Sequence, residues 1–145
     1  MDLKQFAREL SSASAKIAAE LELGFHAIVT EIEETAKEEI GVYQPAVGPF
    51  EAWAPLAAST KAERVRLGYT EDEPLLRSGQ LRDSIESEVT GLAAIVGTKS
   101  EIGLWQEVGT DRIPPRPFIG SAYGRKIGPL MDAIGQAISL GFKAN

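Results

Sequence analysis

The sequence predicts an α+β fold with a long N-terminal helix, a small antiparallel sheet with a hairpin, short helices and a C-terminal helix. Three patterns lead to this prediction: a helical apolar stripe over residues 1–41, an apolar–polar alternation near residue 87, and a second helical stripe at the end of the chain. The chain has 145 residues, of which 43% are hydrophobic, as expected for one globular domain. We therefore predict a single domain over residues 1–145, divided into a helix (1–41), a connection (42–74) and an α+β core with a proline arm and the last helix (75–145).

Residues 1–41 are predicted to form one amphipathic helix. Asp2 followed by Gln5 predicts its N-terminal cap, and Gly41 predicts its end. Such a helix would be about 57 Å long, whereas a compact domain of this size is about 40 Å across. We expect it either to bend near Gly24 or to bury part of its stripe on a neighbouring subunit, and we favour the second. The apolar positions recur at steps of three or four, namely Leu3, Phe6, Leu10, Ala13, Ile17, Leu21, Phe25, Ile28, Ile32, Ala36 and Ile40.

Residues 42–74 are predicted to be a long connection. Phe50 and Trp53 are expected to anchor it, and Thr60 is expected to cap a short helix that Gly68 ends. The prolines and glycines that exclude a longer helix are Pro45, Gly48, Pro49 and Pro55.

Residues 75–97 predict a short helix followed by a hairpin. The helix is expected to start near Ser78. Ile85, Ser87 and Val89 then alternate with polar residues, as in a half-buried strand, and Gly91 provides the turn to a returning strand at residues 93–96.

The remaining residues predict two helices separated by an extended arm. Ser100 is expected to cap a short helix that ends at Gly109 in a left-handed conformation. Residues 113–118 must be extended, because prolines restrict both themselves and the residues before them. In the last helix, Gly128 and Pro129 predict a bend or a fresh start. Its apolar spacing is set by Ile127, Leu130, Ile134, Ile138 and Phe142.

The composition excludes several classes of function. The chain has 21 acidic and 15 basic residues, a net charge of −6, which argues against a protein whose main task is to bind nucleic-acid phosphates. It contains no cysteine and only one histidine, so thiolate sites and sites with several histidines are impossible. No apolar run approaches the roughly 18 residues of a membrane span, and the N-terminus lacks the apolar block of a signal peptide. We expect neither a metal, a cofactor nor a membrane partner.

The residues that could carry chemistry have simpler interpretations. His26 lies on the first helix without a carboxylate or serine partner, so we interpret it as a surface or packing residue. A cluster of glutamates at the end of that helix is interpreted as a solvated face. The spacing of Pro114 and Pro117 matches a PxxP ligand, but a rigid internal connector fits the flanking residues better. We therefore expect no enzymatic activity. The clustered glutamates are Glu31, Glu33, Glu34, Glu38 and Glu39.

Three segments, in this order and spacing, resemble the small head–tail connector or tail-completion (neck) proteins of long-tailed bacteriophages, the virion morphogenesis family. They are Trp53-Ala-Pro-Leu-Ala, Leu75-Leu-Arg-Ser-Gly-Gln-Leu-Arg-Asp-Ser-Ile85 and Gln106-Glu-Val-Gly-Thr-Asp-Arg-Ile-Pro-Pro-Arg-Pro-Phe118. The resemblance covers residues 53–122. Its marker residues fall on Trp53, Leu76, Ser78, Gly79, Leu81, Ile85, Glu107, Gly109, Thr110, Pro115, Arg116, Pro117 and Phe118.

The resemblance implies roles for some of these residues. Gly79 and Gly109 are expected to supply unusual backbone angles. Glu107 is expected either to cap the turn at Gly109 and Thr110 or to pair with Arg116. The ring of Phe118 is expected to be buried where the last helix meets the sheet.

The resemblance also implies a structural role in virion assembly at the head–tail junction. The expected partners are further copies in a ring, with six copies as one candidate, and other connector, stopper, terminator or tail-tube proteins. DNA would pass nearby without specific binding. The protein would be found in the virion, and in the bacterial cytoplasm during assembly. Two alternatives stay open: a tail terminator or minor tail protein, and, in another class, a cytoplasmic binding module or effector.

Overall fold

The computed structural model describes residues 2–143, apart from the side chains of 133, 134, 137, 138 and 140–143. Its elements are, in chain order, α1 (Leu3–Glu39), α2 (Ala58–Arg66), α3 (Gln80–Asp83), β1 (Glu86–Thr90), β2 (Ala93–Gly97), α4 (Glu101–Val108) and α5 (Ile119–Lys143). This is the α+β architecture that the sequence predicts.

The helix α1 is continuous over 37 residues, or about 55 Å, and runs through Gly24 without interruption. Its start is the predicted one, because the Asp2 carboxylate accepts a hydrogen bond from the backbone N–H of Gln5 at 2.7 Å. It ends before Gly41, which has a φ of +98° and donates its N–H to the carbonyl of Pro74 at 2.7 Å.

The second half of α1 supplies one wall of the hydrophobic core, and α5 runs antiparallel beside it. The direction follows from two pairs of neighbours. Glu39 lies beside Arg125, whereas Ile28, which comes earlier on α1, shares an apolar groove with Leu130, which comes later on α5. Phe118 is fully buried, as predicted. The buried members of the core are Ile28, Ile32, Ala36, Ile40, Trp53, Ile85, Phe118 and Ala122.

The first half of α1 extends beyond this core. Leu3, Phe6 and Leu10 are 82%, 52% and 56% exposed, and we call them the α1 stripe. Ala13 is buried in this half. The second half of α1 therefore faces the core of its own chain, and the first half leaves an apolar surface uncovered.

The strands β1 and β2 form the predicted antiparallel hairpin. Glu86 pairs with Gly97 and Thr90 pairs with Ala93, so residues 91–92 form a two-residue turn. The side chains of Ser87 and Val89 are half-buried, and their neighbours along β1 are exposed. The alternation in the sequence is thus a true strand with one face towards α1.

Two local predictions are wrong, as is one of the two alternatives for α5. Thr60 does not cap α2, since the helix already begins upstream, where Lys61 donates its N–H to the carbonyl of Ala57. Pro129 lies inside α5, so the alternative of a fresh start is wrong, and the helix continues without the one hydrogen bond that proline cannot donate. Gly109 ends α4 at a positive φ of 76°, but its ψ of 169° is not left-handed helical. The side chains of Ile134, Ile138 and Phe142 lie outside the described residues.

Candidate functional site

Two of the three motif segments meet around the arm, which we define as residues 113–118. Trp53 is buried, and its indole N–H donates to the carbonyl of Pro117 at 3.3 Å. The buried guanidinium of Arg116 donates to the carbonyls of Ala54 and Pro55, both at 3.0 Å. The arm is therefore held against a segment that lies about sixty residues earlier in the chain.

The carboxylate of Glu107 caps the start of α5. Its oxygens accept hydrogen bonds from the backbone N–H groups of Phe118 at 2.8 Å, Ile119 at 2.9 Å and Gly120 at 2.7 Å. These N–H groups belong to the first turn, where no intrahelical partner exists, and a negative charge there also interacts favourably with the helix dipole. Phe118 occupies the cap position of α5, but its ring cannot accept a hydrogen bond. Glu107 on α4 provides the acceptor in its place.

Both roles expected for Glu107 are therefore wrong. It does not cap the turn after α4, because the hydroxyl oxygen of Thr110 accepts from the N–H groups of Arg112 and Ile113 at 3.2 and 3.3 Å. It does not pair with Arg116, whose side chain is engaged by the carbonyls of the Trp53 segment.

Gly109 and Gly79 have the backbone angles that the motif implied, with φ of 76° and 90°. At Gly109 a Cβ would lie 2.9 Å from the backbone nitrogen of Pro115, so the turn into the arm leaves no space for a side chain. At Gly79 a Cβ would meet the end of the Arg82 side chain at 2.7 Å. Gly79 directly precedes α3, and Gly109 directly follows α4. At both positions a residue with a side chain would be strained.

The segment of residues 75–85 reaches the arm through the core. Ile85 is buried, and Leu76 and Leu81 pack against the same cluster. The hydroxyl of Ser78 accepts from the N–H of Gln80 at 3.3 Å, close to the predicted helix start. Leu75 has a φ of 68°, which is rare for a residue with a side chain.

The matching family model is that of the phage virion morphogenesis family, and it matches residues 1–127. The chain belongs to this family. The match is longer than the resemblance in the motif segments, since it also includes α1. No curated protein and no solved structure was found to be significantly similar to the chain. The family is a structural one, and the chain is thus a virion-associated phage protein that takes part in assembly.

The described residues contain few features of other functional classes. None of the helices in the described range is long and apolar enough to cross a membrane. No group of three histidine or carboxylate side chains could hold a metal ion in that same range. His26 is exposed on α1.

The exposed apolar side chains in the described part of the chain include two groups that each lie along one helix. One is the α1 stripe. The other lies on α4, and we call it the α4 face; its members fall within one seven-residue stretch, and they are Ile102, Leu104, Trp105 and Val108 at 56%, 58%, 47% and 64% exposure. Exposed apolar surfaces of this kind are typical of protein contacts.

The interpretation of the glutamate cluster as a solvated face is wrong for Glu39. Its side chain is buried, and Oε1 lies 3.3 Å from Nε of Arg125. Burial raises the pKa of Glu39 to about 8; Arg125 opposes this change, and the negative charge of Glu107 adds to it. The sequence does carry a signal, because Glu39 lies three residues after the buried Ala36 and so falls on the apolar side of α1.

Replacing Glu107 by glutamine should destabilise the fold by about 1–3 kcal/mol, because a charged acceptor on three backbone donors is lost. Chemical denaturation followed by tryptophan fluorescence measures this change. Glu101→Gln is the matched control, since it removes the same charge from an exposed position on the same helix. Equal stability of the two variants would contradict the capping role.

The stability should fall as the pH rises towards 8, and Glu39→Gln should reduce this fall. The folded-state pKa of Glu39 is raised to about 8 from 4.5, so its contribution is complete below 4.5 and is lost through the folded pKa. The slope for one such proton is at most about 1.4 kcal/mol per pH unit. Denaturation at a series of pH values measures it, with the exposed Glu38→Gln as control. An unchanged slope in Glu39→Gln would show that another group titrates.

Proposed function

We propose that this chain is a tail-completion or neck protein that acts at the head–tail junction of a long-tailed phage and forms a ring there. Membership of the virion morphogenesis family supports the assembly role, and the three motif segments resemble those of connector and tail-completion proteins. The single observation that carries the ring is the α1 stripe, since Leu3 is 82% exposed at the end of a helix that extends past its own core.

A ring would cover such a surface in every subunit. In a cyclic assembly each copy presents one surface to the copy before it and another to the copy after it. The α1 stripe and the α4 face are two different apolar surfaces on one chain, as such a contact requires. We propose a ring with six copies as the first candidate, assembled in the bacterial cytoplasm and retained in the virion.

The arm is suited to docking on a neighbouring connector, stopper, terminator or tail-tube protein. Its exposed residues Pro114 and Pro115 follow a turn fixed by Thr110, and Arg116 and Pro117 behind them are buried. A segment that is rigid before binding loses little conformational entropy when it docks.

The charge of the chain supports passage of DNA without specific binding. With a net charge of −6, a ring would repel phosphates on average. DNA could then pass along the channel of such a ring without adhering to its wall.

The α1 stripe should be required for self-association. Replacing Leu3, Phe6 and Leu10 by glutamine should convert the assembly to monomers, because the apolar contact is lost while a good helix former is retained. Sedimentation equilibrium measures the mass, and circular dichroism checks the helix content. The matched control also introduces three glutamines, and they replace Lys4, Arg8 and Ser12 on the opposite side of α1. A natural chain that is monomeric at all concentrations would contradict assembly through α1.

Deletion of the gene from its phage should produce DNA-filled heads and separate tails of normal length. Electron microscopy of the lysate distinguishes the alternatives, since loss of a tail terminator would give tails of variable length and loss of an unrelated binding module would leave complete particles. Complementation with the natural chain should restore joined particles. Complementation with the α1-stripe variant should not.

A further inference from the structure

A pocket of about 390 Å³ lies between α2, the segment of residues 75–77, α4 and the arm. Four arginines line it, namely Arg64, Arg77, Arg112 and Arg116, and no acidic residue is among its lining in the described part of the chain. This is unexpected in a chain with a net charge of −6. The two motif segments at the arm and the segment of residues 75–85 all contribute to it.

The two inner arginines are buried without a carboxylate at ion-pair distance in the described residues. Arg64 and Arg116 are each 4% exposed, and within the described residues neither forms an ion pair. Arg64 donates to the carbonyls of Leu76 at 2.7 Å and Thr70 at 3.3 Å, and Arg116 donates to two further carbonyls. These bonds occupy part of the donors, since Nε of Arg64 is buried without a hydrogen-bond partner, and neutral carbonyls leave the positive charges in place.

The pKa values agree with an excess of positive charge. Burial lowers the pKa of Arg64 and of Arg116, and the charge of Arg77 lowers that of Arg64 further, whereas Tyr43, Glu73 and Asp72 oppose the change at Arg64. A buried charge without a direct ion pair is unfavourable, so an anion that enters this pocket interacts favourably with both inner guanidinium groups.

The two outer arginines are placed to contact such an anion directly. Arg112 is exposed, and its backbone N–H is fixed by the hydroxyl of Thr110; its side chain forms no ion pair with any described residue. Arg77 is partly exposed, lies over the ring of Tyr69 and is 3.8 Å from the carboxylate of Glu63. A contact at that distance is weak and can be exchanged for a closer one.

We propose that this pocket binds a carboxylate of a partner protein, carried on an apolar segment with an aspartate or glutamate. Arginine forks match carboxylate geometry and can form two parallel hydrogen bonds. The remaining walls include Leu56, Leu75 and Ile102, which suit an apolar neighbour of the acidic side chain. A concave site of this volume accepts a side chain, whereas a nucleic-acid backbone would also have to approach an acidic protein surface.

This inference goes beyond the proposed role at the head–tail junction, because carboxylate binding is a property of the isolated chain. The experiment titrates the 145-residue protein with the capped tripeptide Leu-Glu-Leu and compares it with Leu-Gln-Leu, inorganic phosphate and a short oligothymidylate. Nuclear magnetic resonance of the arginine Nε–H groups and of the amides of Gln106 and Ile113 reports the binding site and the affinity.

The glutamate peptide should shift the signals of Arg77 and Arg112, and the glutamine peptide should not. Arg112→Gln should weaken binding about tenfold, as expected for loss of one charge-assisted hydrogen bond. Arg66→Gln is the matched control, because it removes the same charge from an exposed position on α2 outside the pocket.

Three results would overturn the proposal. The first is equal binding of both peptides, and the second is tighter binding of oligothymidylate than of the glutamate peptide. The third is the absence of any shift at about 10 mM peptide, tenfold above a Kd of about 1 mM. Each can be separated from failure of the junction role, since none depends on self-association or on phage particles.

Discussion

The position of α5 depends on the carboxylate of Glu107, and most of the structure depends on α5. The helix begins directly after a proline arm, and the residue at its cap position is Phe118, whose ring must enter the core and cannot accept a hydrogen bond. The backbone donors of the first turn therefore need an acceptor from elsewhere, and α4 provides it at 2.7–2.9 Å. This contact joins the end of α4 to the start of α5. Arg116 and Trp53 then attach the arm to the segment around residue 54 through bonds to backbone carbonyls.

The charges around this cap are separated by sign. On the side facing α1, the negative charge of Glu107 raises the pKa of Glu39, and the positive charge of Arg125 partly opposes this change. In the pocket beside the arm, the guanidinium groups of Arg64 and Arg116 donate to backbone carbonyls. This pocket is thus lined by arginines, although the whole chain is acidic. Direct pairing of these charges with each other would remove both the cap and the pocket.

The helices, the hairpin and several caps were predictable because their signals are local. Periodicity identifies α1, alternation identifies β1, and Asp2 and Ser100 each act within three residues of their own position. The partner of Glu107 was not predictable, because spacing near Gly109 offered two local partners and the real one is created by the path of the arm. Arg116 likewise bonds to carbonyls 61 and 62 residues away. Hydrogen bonds between such distant residues depend on the path of the folded chain, and local sequence patterns do not predict them.

The distribution of polar and apolar groups is that of a protein built to present fixed surfaces. Two polar side chains of the motif segments, Glu107 and Arg116, bond to backbone groups at the two sides of the arm and so hold the arm in place. The apolar groups left exposed include those on the first turns of α1 and on the α4 face. Such surfaces are stabilised when a partner covers them, and the proposed ring would cover them in every subunit.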